Sequence, residues 1–115
     1  MEVYLGQIVD VVVDRPLGST HPKHKNIVYP INYGYIEGLI GGDGEEQDAY
    51  ILGVDVPVES YTGRVIAIIK RKNDNEDKWV VAPEDKIYSV SEIEALVNFQ
   101  EQYFEHYIII SGEKQ

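Results

Sequence analysis

Cysteine is absent from this 115-residue chain, which excludes disulfides, thiolate zinc sites and cysteine nucleophiles. That fits a cytoplasmic protein. No apolar run approaches the roughly 20 residues of a membrane span. The opening M-E-V-Y-L-G-Q lacks the basic and apolar regions of a secretion signal. Basic residues are scarce, 10 against 20 acids, for a formal charge of −10. So acidic a balance argues against general binding to nucleic acid or to an anionic membrane, since both need basic faces. Internal repeats and low-complexity segments are missing too. At this length the chain is expected to be a single domain, residues 1–115.

β-Branched residues are plentiful. Residues 3–14 read as a long strand, with a bulge expected at Gly6. From Arg15 to Asn26 two prolines and a glycine make a loop. It is the one clearly basic place in the chain, with Arg15, Lys23 and Lys25 beside His21 and His24. An aromatic run and an acidic turn follow, then a buried-looking strand over Ala49–Val56. Arg64–Ile69 and W-V-V-A, with a polar tip between them, read as a hairpin over residues 64–82. The period then changes. Ile93, Leu96, Val97, Gln100, Phe104 and Tyr107 follow the 3.6-residue spacing of a half-buried helix. Ser91 with Glu94, or Ser89 with Glu92, supplies its capping box. About five strands before one C-terminal amphipathic helix describe a mainly β (α+β) protein, a small barrel with the helix packed on it. The three histidines do not group at a metal-ligand spacing and are read as structural or surface groups.

The organising stretch is Tyr29 to Asp48, Y-P-I-N-Y-G-Y-I-E-G-L-I-G-G-D-G-E-E-Q-D. It ends with four carboxylates in six positions, Asp43, Glu45, Glu46 and Asp48. Such acids must be solvated, paired or given cations, and a solvated hairpin tip is the plain alternative to a site. Oxygen-rich clusters suit hard divalent ions, Mg²⁺ above all when phosphate completes the coordination. The polar tip adds Asn73, Asp74, Glu76, Asp77 and Lys78. If the two tips converge at one end of a barrel, they form a carboxylate bowl for two or more Mg²⁺ ions. Arg15, Lys78 and the hydroxyls of Tyr33 and Tyr107 are placed at its rim, and an anionic substrate would complete the shell.

Y-P-x-N-Y-G-Y-I, followed by D-G-E-x-x-D with Tyr33 and Asp43 ten positions apart, resembles the family I soluble inorganic pyrophosphatases. The tail Y-F-E-H-Y and the segment V-I-A-I-I-K-R-K-N-D-N-E-D-K-W-V-V-A resemble that family more weakly. The likeness covers roughly residues 9–107. It implies an OB-like five-stranded β-barrel, Mg²⁺-dependent hydrolysis of pyrophosphate to two phosphates, a cytoplasmic location and a homo-oligomer. It also implies roles. Asp43, Asp48 and Glu76, with Asp74 beside them, hold metals, and Glu45 both touches metal and orients the attacking water. Arg15, Tyr33, Lys78 and Tyr107 bind phosphate. Asn73 and Ile108 depart from the family pattern, which has a metal-binding Asp and a phosphate-binding Lys there. A phosphate-binding lysine of an earlier strand finds no clear counterpart, leaving Lys23 or Lys25 as substitutes. Two other functions fit the same residues: a non-catalytic phosphate- or nucleotide-binding module, and a hydrolase of another diphosphate.

Overall fold

The computed structural model describes residues 4–42, 44–72 and 76–110. Six strands and one helix follow in the order β1 (Ile8–Arg15), β2 (Asn32–Ile40), β3 (Glu46–Ile51), β4 (Ser60–Arg71), β5 (Asp77–Ala82), α1 (Val90–Glu101) and β6 (His106–Ile110). The sheet runs β1-β2-β3-β5-β4-β6, and β1 pairs again with β4. That second pairing closes five strands into a barrel, as the family resemblance implied. Every pair is antiparallel except β3–β5.

The barrel is bent by its longest strand. Ser60 to Arg64 of β4 pair with β1, whereas Ala67 to Arg71 pair with β6. Between these runs the register against β5 slips from Val65↔Val81 to Ala67↔Val80. An extra residue at such a bulge kinks the strand and sharpens its twist. One chain can therefore serve first the barrel and then its extension. Gly34 makes closure possible at the opposite wall, since a Cβ there would collide with the Val12 carbonyl of β1.

Alternation along the strands separates two cores. Val11, Ile36, Ala49, Ile51, Val65 and Trp79 belong to a cluster drawn from all five barrel strands, the barrel interior. Tyr33, Tyr50, Leu52, Ile69, Val80 and Ala82 face the other way and pack with Ile93 and Val97 of α1. Strands β3 and β5 are buried on both faces, which is why A-Y-I-L and W-V-V-A are continuously apolar.

The helix is capped by Ser89 and Glu92, the second of the two expected boxes. It buries Ile93, Val97, Gln100 and Glu101 and then stops. The expected stripe therefore does not reach Phe104 and Tyr107. Phe104 lies in a turn whose amide donates to the Glu101 carbonyl, and Tyr107 sits on β6 opposite Lys70. The run Y-I-I-I explains the change: three β-branched side chains gain more by pairing with β4 than by continuing a helix. Strand β6 is thus an addition to the five strands expected. At the other end, the first strand begins at Ile8, and Gly6 lies in the preceding turn at φ 89°.

Candidate functional site

A cavity of about 590 Å³ opens between the barrel, the loop after β1 and the end of α1. Lys78 is one of its lining residues. Its partner strands leave the side chain 4% exposed, yet its Nζ lies 2.6 Å from Asp48 Oδ2 and 2.8 Å from the Tyr33 hydroxyl, and it pairs with Glu76. Asp48 comes from β3, Tyr33 from β2, and Glu76 from just before β5, so three elements converge on one ammonium.

The charges explain one another. Burial raises the Glu76 carboxyl, and a hydrogen bond to Asp48 raises it further against the pull of Lys78. Burial acts on Asp48 in the same sense, but the Lys78 charge and hydrogen bonds from Glu76, Lys78 and Tyr33 hold its carboxyl below the usual range. The two carboxyls are thus pushed in opposite directions, Asp48 down and Glu76 up, while both pair with Lys78. Burial, then the Asp48 charge, pushes Tyr33 well up, so its hydroxyl remains neutral.

Arg15 forms the second side of the floor. Its Nη1 donates to the Tyr29 hydroxyl at 2.6 Å, and its guanidinium lies 5.4 Å from the centre of the Tyr33 ring. These contacts orient the cation without neutralising it, leaving its charge for an anion.

Five of the expected residues, Arg15, Tyr33, Asp48, Glu76 and Lys78, therefore line one cavity. Lys23 lines it as well, whereas Lys25 does not. Glu45 is exposed in the turn before β3 and is not part of the lining. Tyr107, half exposed on β6, is also outside it. Asp43, Asn73 and Asp74 fall outside the described residues.

Sequence reasoning missed an anchor behind the floor. Arg71 grips the fully buried Glu101 through Nε at 3.1 Å and Nη2 at 2.7 Å, and its Nη1 lies 3.6 Å from Glu76. Tyr50 donates to Glu101 at 2.7 Å and accepts from Gln100 at 2.7 Å. Gln100 accepts in turn from Tyr29 at 2.8 Å. A single polar chain thus links Arg15 to Glu76, and Arg71 and Gln100 within it also line the cavity. Its signal was present: Arg71 shares the face of Ala67 and Ile69, and Glu101 falls eight residues after Ile93 on the helix stripe.

Hard oxygen donors on Asp48 and Glu76 suit a divalent cation of the Mg²⁺ type. Among the described residues, no three acidic or histidine side chains form a metal-holding group. The pair accordingly fits part of such a site. Fold and cavity together define a small barrel protein with a lysine–carboxylate cluster lining its cavity.

The family model for inorganic pyrophosphatase matches residues 10–115, and the chain belongs to that family. It is 26% identical over 88 residues to the inorganic pyrophosphatase of Corynebacterium glutamicum, covering 72% of this chain and 56% of that protein. With the inorganic pyrophosphatase of Gluconobacter oxydans identity is 30% over 82 residues, covering 68% and 44%. The chain therefore spans about half the length of these curated relatives. Among solved structures, the inorganic pyrophosphatase of Ehrlichia chaffeensis superposes with a TM-score of 0.70 at 17% identity, covering 92% of this chain and 87% of that one. For the Coxiella burnetii inorganic pyrophosphatase the TM-score is 0.63 at 17% identity, covering 94% and 86%. These likenesses establish the shared barrel.

Proposed function

We propose that this chain hydrolyses inorganic pyrophosphate to two phosphates with the help of Mg²⁺. The observation that carries the reading is Lys78, held among Asp48, Glu76 and Tyr33 at the floor of a cavity that Arg15 also lines. Family membership supports it. Arg15, Lys78 and Tyr33 bind phosphate oxygens, and the fixed ring and strand positions hold the substrate in line. Asp48 and Glu76 are the cation ligands, joined by Asp43 and Asp74 from the connections. Glu45, three residues ahead of Asp48, is given the attacking water by the family resemblance, although it lies outside the cavity lining. Bound Mg²⁺ would supply positive charge to the phosphate oxygens and to that water. Burying Tyr33 keeps its hydroxyl a neutral donor. No helix among the described residues is long and apolar enough to cross a membrane. The proposed action is on a small anion in the cytoplasm, by one domain that assembles as a homo-oligomer.

Phosphate release from pyrophosphate should require Mg²⁺ or Mn²⁺, and Asp48→Asn should lower kcat by on the order of 10²-fold or more. A pure, folded sample that releases no phosphate with either ion overturns the reading.

A further inference from the structure

The cavity has two unlike halves. Its floor is the ionic cluster just described. Its wall is richer in rings and apolar groups, with Pro22, Ile27 and the rings of His21, His24, Tyr103 and Phe104 beside the polar Lys23 and Asn26. Pyrophosphate consists of phosphorus and oxygen alone and gains little from such a wall. A cavity of about 590 Å³ lies in the range that holds an organic ligand of several rings.

Both sides of the wall are fixed in place. The loop after β1 is stapled by amide hydrogen bonds from Gly18 to the Tyr29 carbonyl, Tyr29 to Ser19 and His21 to Ile27, and Thr20 bridges Val28. Within it, His21 Nδ1 accepts from the amides of Lys23 at 3.0 Å and His24 at 3.3 Å. The His21 ring also stacks on Tyr29, tilted by 14°. Opposite, the Arg71 guanidinium caps the Phe104 ring 3.7 Å from its centre. Tyr103 stands beside it, 61% exposed. A fixed cavity wall carrying an uncovered phenol ring offers stacking area for another flat ring.

We propose that this wall seats the base of a nucleoside diphosphate while the diphosphate lies on the floor, an inference that rests on the floor's assignment to phosphoanhydride hydrolysis. Stacking on tyrosine and histidine rings tolerates any base, so the class is set by the flat ring and the diphosphate together. Lys23, which also lines the cavity, adds positive charge. In the reaction a water oxygen bonds to the terminal phosphorus as the bridging P–O bond breaks. The bond's electrons leave with the nucleoside monophosphate, inorganic phosphate is released, and the water's proton passes to solvent.

ADP and pyrophosphate, assayed side by side with Mg²⁺, test this. ADP should be turned over, or should inhibit pyrophosphate hydrolysis competitively. Tyr103→Ala should lower kcat/KM for ADP about tenfold relative to that for pyrophosphate, and Tyr103→Phe should restore the ratio. Turnover of pyrophosphate with no turnover or competition by ADP would overturn the inference and spare the reading beneath it. So would a Tyr103→Ala variant that changes both substrates equally. Turnover of ADP without turnover of pyrophosphate would uphold the inference and sink the pyrophosphatase reading. Inactivity toward both, with no competitive binding of ADP, would remove both.

Discussion

Glu101 is wholly buried, and its charge is tolerable only because Arg71 meets it through two hydrogen bonds and Tyr50 donates a third. Removing one member of a buried ion pair leaves the other charge stranded, which costs about 3–5 kcal/mol. Replacing both by uncharged groups of similar size is far milder, since neither charge then needs desolvating. Arg71→Met should therefore destabilise strongly in urea. Adding Glu101→Gln should recover most of the loss, because the amide oxygen still accepts from Tyr50. A single Arg71→Met that costs under about 1 kcal/mol would show that the pair does not anchor the floor. The same residues explain why part of the site escaped the sequence. Asp48, Glu76 and Lys78 were legible through motif spacing, but Arg71 reads as one letter of a polar hairpin tip, K-R-K. Its burial is decided by β4 continuing two residues past Ile69, beyond where the apolar run ends.

At the scale of elements, α1 and β6 are tied by His106. Its Nε2 lies 2.9 Å from Glu94 on the helix, and its Nδ1 lies 2.8 Å from the Phe104 carbonyl. Burial alone would lower the imidazole's pKa, but the Phe104 carbonyl and the Glu94 carboxylate outweigh it, with Glu101 adding to them. The folded value is thus raised above the ordinary 6.5. Linkage then has a definite sign: the stabilisation is complete below the unfolded value and fades as pH rises through the folded one. Urea midpoints of the wild type and His106→Asn should differ most below pH 6.5 and converge as pH rises above it. A gap that widens with pH would refute the tie. This junction also marks where element reading failed. The spacing from Ile93 to Gln100 was a true helix signal, whereas Phe104 and Tyr107 kept the phase by coincidence. The triple isoleucine was the better guide, because β4 offered it an unpaired edge beyond the end of β1.

Across the whole molecule, a closed barrel with cores on both faces of β3 and β5 brings Asp48 and Glu76 to one cavity. The formal charge of −10 disfavours bringing Asp48 and Glu76 together. Lys78 offsets part of that repulsion, and a bound divalent ion would offset more. A ligand that binds only the folded chain stabilises it by about 2.7 kcal/mol at one hundred times its Kd. For a domain of this size each kcal/mol raises Tm by roughly 4–8 °C. Millimolar MgCl₂ should therefore raise Tm well beyond NaCl of equal ionic strength, which screens charge without binding in place. Asp48→Asn should lose that excess while keeping the response to NaCl. Melting curves that match in the two salts, together with no saturable Mg²⁺ uptake by calorimetry, would mean that lysine and solvent alone balance these carboxylates.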